Sequence, residues 1–385
     1  MPPDSLAPAA TPHATCVVKV YEAVSALPPH YEALFAQAGN ASVFFTLPWF
    51  NNYVRTVLAP EERVRIYAVE SAAPPLIARA VLVMQYQVSA KGVPGRALNS
   101  LANYYTSLFG VICESGRSDM PQVFDAIAKA IANDTPRWSE IDLHPLSLEE
   151  PHFTQLATAL RKAGLLAQEY FCFGNWYLDV HNQPFQEYLK TRPTRISKTG
   201  SRMRRNLEKG GQYRFELYQS TDKLDQALAD YNTVYRSSWK VAEPHPEFIG
   251  GLLHTCAEQG WLRLGIGYID DEPAAAQIWI VAAGQASIYK MAYDKRFARQ
   301  SVGTVVTITL MEHVIEVDRV TIVDYLSGDD SYKRDWMSHR RERWGLRAFN
   351  PRTPHGLLAA ARHMGGRAAR RAVDAVRSLR GGKAR

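Results

Sequence analysis

The chain has 385 residues, 46% of them apolar, and a formal net charge of +7, which points to two packed domains and excludes general disorder. The charge is local: residues 351–385 carry nine Lys/Arg against the one acid Asp374, a net of +8, so residues 1–350 sum to −1. Cys16, Cys113, Cys172 and Cys256 are scattered without a C-x-x-C pair, which excludes a disulfide framework or cysteine metal centre and fits a reducing compartment.

In chain order, residues 1–15 read as a flexible leader, lacking the basic region and apolar run of a secretory signal. A strand is expected from Val17, a short helix over Tyr31 to Ala38, and an aromatic-rich segment over Phe44 to Leu58 whose helix starts at Pro48. Arg63 to Glu70 and Ile77 to Val88 alternate as two strands around an Ala72-Ala73-Pro74-Pro75 turn. A helix over Gln122 to Ala132 and a strand over Trp138 to Leu143 complete the first half. No apolar run reaches the roughly 20 residues of a membrane span, so a cytoplasmic location is expected.

The same order recurs. Helices are expected over Asp225 to Trp239 and Glu247 to Gln259, and strands over Trp261 to Ile269, Ala275 to Val281 and Ile288 to Tyr293. A helix over Thr304 to Val317 and a strand over Thr321 to Leu326 follow. Arg137 to Leu143 and Asp318 to Leu326 both follow a helix and set an Asp beside an apolar residue late in the strand, the mark of an internal duplication. The expected domains are 16–180 and 181–350, followed by a basic tail, 351–385.

Between the halves, Pro184 to Lys190 reads as a short helix and Ser197 to Lys209 as a basic one, with Lys198, Arg202, Arg205 and Lys209 on one face. Such a face either meets phosphate or carboxylate or is a solvated connector. In the tail, Arg367 to Arg380 could form a basic amphipathic helix touching an anionic membrane surface, or stay partly disordered.

Chemistry concentrates in Arg299 to Trp336. A small-residue turn, Gln300-Ser301-Val302-Gly303-Thr304, opens a helix whose first amides lack internal partners, a place where an anion can sit. The following strand delivers Asp324, then a polar loop with Asp329, Tyr332 and Lys333. The Gln300-x-x-Gly303 element resembles the pyrophosphate-cradling loop of the GNAT acyltransferase superfamily. Asp324 to Trp336 (DYLSGDDSYKRDW) resembles the end of the BioF2-like acetyltransferase group, related to the FemAB peptidyltransferases. The resemblance spans residues 175–350 and extends loosely over the first half; where the family loop usually has Gly or Ala two residues after Gly303, this chain has Val305.

The resemblance implies tandem GNAT-like α/β domains, each a mixed, mostly antiparallel sheet flanked by helices. It also implies a transferase moving an acyl group from acetyl-CoA or another acyl-CoA to an amine or hydroxyl of a sugar, lipid precursor or cell-envelope intermediate. The cosubstrate is expected on Gln300, Ser301, Val302, Gly303 and Thr304. Asp324 is the candidate base or substrate anchor, Tyr332 the proton donor to the leaving thiolate, and Lys333 the holder of a phosphate or carboxylate. Each has a plainer structural reading, as a turn aspartate, an aromatic packed on Trp336 and an exposed lysine. Trp239 and Lys240 resemble the family's acceptor-side motif, Tyr289 and Lys290 alternate on the preceding strand so that one faces the cleft, and Arg202 and Arg205 are further candidates for substrate.

Two other readings stay open: FemAB-like transfer from aminoacyl-tRNA, and a non-catalytic protein binding an anionic glycan or membrane. Neither metal nor DNA is expected. The chain has no H-E-x-x-H, G-x-x-x-x-G-K-[ST] or strand-following G-x-G-x-x-G, and no Ser-His-acid arrangement can be read from it, which argues against zinc peptidase, NTPase, dinucleotide-enzyme and hydrolase chemistry.

Overall fold

The computed structural model describes residues 16–88, 96–114, 116–149, 151–363 and 365. Two stretches of chain fold through one series of elements. The first runs β1 (Cys16–Tyr21), α1 (Glu32–Gly39), α2 (Leu47–Thr56), β2 (Glu62–Ser71), β3 (Ala78–Gln87), β4 (Ala97–Ser100), β5 (Ile112–Cys113), α3 (Met120–Ala132), β6 (Glu140–Ser147), α4 (His152–Lys162) and β7 (Leu166–Asp179). A connector holds α5 (Phe185–Lys190) and, after a π-turn over Arg195–Gly200, α6 (Ser201–Lys209). The second stretch runs β8 (Tyr213–Tyr218), α7 (Leu224–Ser237), α8 (Pro246–Glu258), β9 (Leu262–Ile269), β10 (Glu272–Ala282), β11 (Gln285–Tyr293), α9 (Val302–Glu316), β12 (Ile322–Asp324), α10 (Ser331–Trp336) and β13 (His339–Phe349).

The strands form one sheet ordered β1-β2-β3-β4-β6-β13-β7-β12-β11-β10-β9-β8, with β5 on β3. Read inward from either edge, the halves correspond strand for strand. The β4/β6 and β11/β12 pairs are parallel, and the other neighbours are antiparallel. Asp142 and Asp324 hold equivalent register positions, opposite Asn99 and Ser287. Each half's last strand crosses over: β7 pairs with β12, β13 with β6, and the two pair with each other from His339↔Tyr177 to Phe349↔Leu166. This exchange joins the sheets of the two halves into one, because β7 and β13 leave no free edge at the centre.

Packing follows the side-chain periods. Thr46 caps α2, its hydroxyl accepting from Trp49 N–H at 3.3 Å, and Pro48 in the first turn needs no amide partner. The apolar stripe of α2 (Trp49, Phe50, Tyr53) is buried with Phe248 and Leu252 of α8, in a core closed by β2, β3, β9 and β10. Asn52 donates to Phe248 C=O at 3.3 Å, and a Cβ on Gly251 would lie 2.1 Å from Asn52 Oδ1, so glycine is required at that crossing. A second core lies under α3 and α4, a third under α5 and α9.

β7, β8, β13 and α4 were not expected from sequence, and α10 replaces the end of the expected polar loop. Residues 354–363 are helical, with Ala360 fully buried. The leader and the proposed helix over Arg367 to Arg380 lie outside the described residues. Among the described residues, no helix is long and apolar enough to cross a membrane.

Candidate active site

β12 pairs with only the first three residues of β11, from Gln285↔Ile322 to Ser287↔Asp324. Beyond Asp324 the chain turns at Leu326, φ 55°, so the strands splay and open a wedge. The 101–107 loop of the first half and the 238–245 segment between α7 and α8 close over it. Lys290 Nζ lies 2.7 Å from Glu243 Oε1, and Glu243 Oε2 accepts from Tyr104 OH (2.5 Å) and Tyr105 OH (2.9 Å). The ammonium also sits 5.1 and 5.0 Å from the ring centroids of those tyrosines, close enough for cation–π attraction. Burial pushes the Glu243 carboxyl up, but hydrogen bonds from Lys290 and Tyr104 outweigh it and hold the group below its ordinary value.

Tyr289 and Lys290 both reach this loop, contrary to simple alternation. β11 pairs Lys290 with Ile278 and Ile288 with Trp279, so Tyr289 is the extra residue of a β-bulge. Its hydroxyl donates to Tyr105 C=O at 3.0 Å. Trp239 is 52% exposed, its ring 4.7 Å from Tyr293, and Lys240 Nζ hangs 5.5 Å over that indole. Protein crowding around the Lys240 ammonium, and the charge of Lys290, lower its pKa.

The predicted anion turn lies at the far end of β11. Ser301 adopts a left-handed conformation, φ 54°, at the start of α9. The first i→i−4 bond is Val305 N–H to Ser301 C=O, 3.1 Å, leaving the amides of Val302, Gly303 and Thr304 ahead of it without helical partners. A Cβ on Gly303 would lie 3.2 Å from Tyr293, so the turn passes closely beneath the ring that Trp239 covers. Gln277, buried on β10, donates to Gly303 C=O (2.9 Å) and Thr307 Oγ1 (2.7 Å) and locks α9 in place. Gln300 Oε1 is buried with no hydrogen-bond partner.

Residues 195–334 match a family model described as an acetyltransferase (GNAT) domain. The fold is that of FemX, with a TM-score of 0.60 at 10% identity over 85% of this chain and 96% of that one. The chain carries a GNAT-like domain and has the GNAT fold. Lower-scoring similarities include a C-terminal domain (DUF2156) of a putative lysylphosphatidylglycerol synthetase from Agrobacterium fabrum (TM-score 0.47, 13% identity, 85% of this chain and 95% of that). A tandem GNAT protein from the clavulanic acid biosynthesis pathway scores 0.47 at 11% identity, covering 86% and 98%. No curated protein matches the chain.

Within this GNAT fold, several predicted residues are placed otherwise than expected. Asp324 is 2% exposed and faces a cavity between the halves. It accepts from Asn175 Nδ2 and Leu326 N–H, each 2.6 Å, and from Arg341 at 2.5 Å. Both carboxylate oxygens are occupied, so the side chain ties β12 to Asn175 of β7 and Arg341 of β13. Lys333 is buried, and its ammonium donates to the carbonyls of Tyr325 (3.3 Å), Ser327 and Gly328 (3.4 Å). Thus it clasps the 325–330 loop instead of presenting a cation. Tyr332 packs edge-on to Tyr325 at 5.7 Å, not on Trp336; burial, then Asp330, pushes its hydroxyl up to about 12.

Arg202 and Arg205 are exposed on α6, which packs along α9. With Lys198 and Lys209 they have no ion-pair partner among the described residues, whereas Arg204 pairs with Glu208 and Glu312. Val305 is fully buried, so its methyls take up core space and not the surface of the turn. Sequence reasoning missed Glu243, Tyr104 and Tyr105. The adjacent tyrosines in a loop between strands were the one available signal, and Glu243 had none beyond its neighbouring prolines.

Proposed function

We propose that this protein is an acyltransferase that moves an acyl group from acetyl-CoA or another acyl-CoA to the amine or hydroxyl of a sugar, lipid precursor or cell-envelope intermediate, at the wedge between β11 and β12. The observation that carries this reading is that the open start of α9 and the Lys290–Glu243 pair flank the same C-terminal part of β11, where Gly303 and Trp239 both lie against Tyr293. The residues fit the donor: three amides without helical partners and a close-approach glycine suit a pyrophosphate. Val302, Gly303 and Thr304 would hold the phosphates, and the thioester would lie along the splayed part of β11.

The acceptor would enter beneath Tyr104 and Trp239. Lys240, on the 238–245 segment beside the Trp239 indole, is the group proposed to take the proton as the acceptor attacks the carbonyl. Glu243, kept ionised, positions Lys290 beside the reacting carbonyl, where a fixed cation stabilises developing negative charge. Tyr332 stays protonated and is the donor proposed for the leaving thiolate. A second reading, transfer from aminoacyl-tRNA, is supported by the unpaired cations Lys198, Arg202, Arg205 and Lys209, since a row of free Lys/Arg suits a phosphate backbone.

Calorimetric titration with acetyl-CoA and a longer acyl-CoA tests the first reading. Saturable binding to either, weakened at least tenfold in Gly303→Trp, is expected. Absence of acyl-CoA binding together with salt-sensitive retention of charged tRNA, lost in Arg202→Glu/Arg205→Glu, would replace it with the second.

A further inference from the structure

A cavity of about 580 Å³ lies between the halves and adjoins the wedge through Ser107, Asp324 and Leu326. Its floor carries Arg341, Arg343, Asn175 and Asp324, and its walls include Phe44, Phe109, Phe153 and Leu156. That size falls within the roughly 300–1,000 Å³ of small-molecule sites.

Two guanidinium groups, Arg341 and Arg343, share two carboxylates, Asp324 and Glu149, but the pairing is uneven. Arg341 is fully engaged: Nη2 with Asp324 at 2.5 Å, Nε with Asn175 Oδ1 at 2.6 Å and Nη1 with Glu149 at 3.1 Å. Arg343 is the more weakly paired of the two cations. Its side chain is 4% exposed, yet the nearest carboxylate is the half-exposed Glu149 at 3.6 Å, already used by Arg341. Its Nη1 donates to Ser147 Oγ at 3.1 Å, its Nη2 is 3.5 Å from Asn175 Oδ1, and its Nε is buried with no partner. A buried guanidinium with one long, shared ion pair is poorly compensated; burial, reinforced by Arg341, lowers its pKa to about 10 against the opposing pull of Asp324 and Glu149.

We infer that this cavity is a binding site for a small acid with an apolar body, its carboxylate or phosphate resting on Arg343 and its body between the aromatic walls. A guanidinium presents parallel N–H groups that match two oxygens of such a head. Ser147 and Asn175 hold its plane. The apolar walls exclude a bare ion as the preferred occupant. A free fatty acid and an alkyl phosphate head share this chemistry.

The experiment is calorimetric titration of the full chain with octanoate, octyl phosphate, octanol and inorganic phosphate. Octanoate or octyl phosphate should bind saturably, at least tenfold more tightly than octanol and than inorganic phosphate; whichever acid is tighter identifies the head. Arg343→Gln should abolish the preference for acid over alcohol, and Lys290→Gln should leave it unchanged. As a readout independent of variants, octanoate should raise the wild-type melting temperature more than octanol does. Equal binding of acid and alcohol would overturn the proposal, as would retained preference in a folded Arg343→Gln or loss of acid binding in Lys290→Gln. Inorganic phosphate binding as tightly as octyl phosphate would overturn the apolar-body assignment.

Discussion

The Glu243 carboxylate lies 2.7 Å from the Lys290 ammonium, with the two side chains 11% and 14% exposed. This pair ties the α7–α8 segment to β11, and through Tyr104 and Tyr105 it ties both to the first half. Removing one partner leaves the other charge poorly solvated, so Glu243→Gln should cost about 2–3 kcal/mol at pH 7. Because the folded pKa of Glu243 lies below its ordinary 4.5, the unfolded chain binds the proton more readily. Its contribution is therefore complete above pH 4.5 and lost as pH falls through the folded value. Urea unfolding of wild type and Glu243→Gln should differ at pH 7 and converge in acid; a constant gap would remove the pair from the account.

Asp142 and Arg347 repeat the theme in the first half, 2.5 Å apart. Burial pushes the Asp142 carboxyl up, but His144, Tyr170 and Arg347 together bring it down to about 2 from 3.8. That depression corresponds to about 2 kcal/mol of stability, present above pH 3.8 and lost towards pH 2. Asp142→Asn should therefore destabilise at pH 7 and be near neutral at pH 2, read by denaturant midpoints.

Asp324→Asn separates an anchor from a base. It breaks the pair with Arg341 and should lower stability by about 2–3 kcal/mol, while donor titration and single-turnover transfer at saturating substrates change less than tenfold. A fall of several hundredfold in transfer with stability intact would return Asp324 to the chemistry.

Lys333→Met strips the clasp from three carbonyls of the 325–330 loop. The expected loss is about 2 kcal/mol, and amide hydrogen exchange should quicken in that loop while β11 stays protected. Unchanged exchange would show that the loop holds its shape without the lysine.

Lys240→Gln tests the proton acceptor. Donor binding should persist, transfer should fall about 10²-fold or more, and the rise of rate with pH should disappear. A variant with an unaltered pH profile would pass the role to another group.

Much of the fold was legible because it is local. Alternation marked β2, β3, β9 and β10, the 3.6 period marked α2, α3, α7 and α8, and the small-residue turn before α9 was visible as Gln300 to Thr304. β13 was not, since His339-Arg340-Arg341-Glu342-Arg343 is a run of charges without apolar alternation until partners appear on both sides. Those partners, Asp329, Asn175, Ser147 and Glu149, come from distant segments.

By itself, then, the sequence determined the repeated element order and the turn that opens α9, because helix period, strand alternation and helix starts depend on neighbours a few residues apart. Only the tertiary structure decided the crossing of β7 and β13, the bulge that turns Tyr289 and Lys290 to one side, and the inward engagement of Asp324 and Lys333. The choice of Glu243 as the wedge carboxylate also belongs there. Each is a contest between pairings remote in the chain, settled by which arrangement leaves the fewest buried charges and strand edges unpaired.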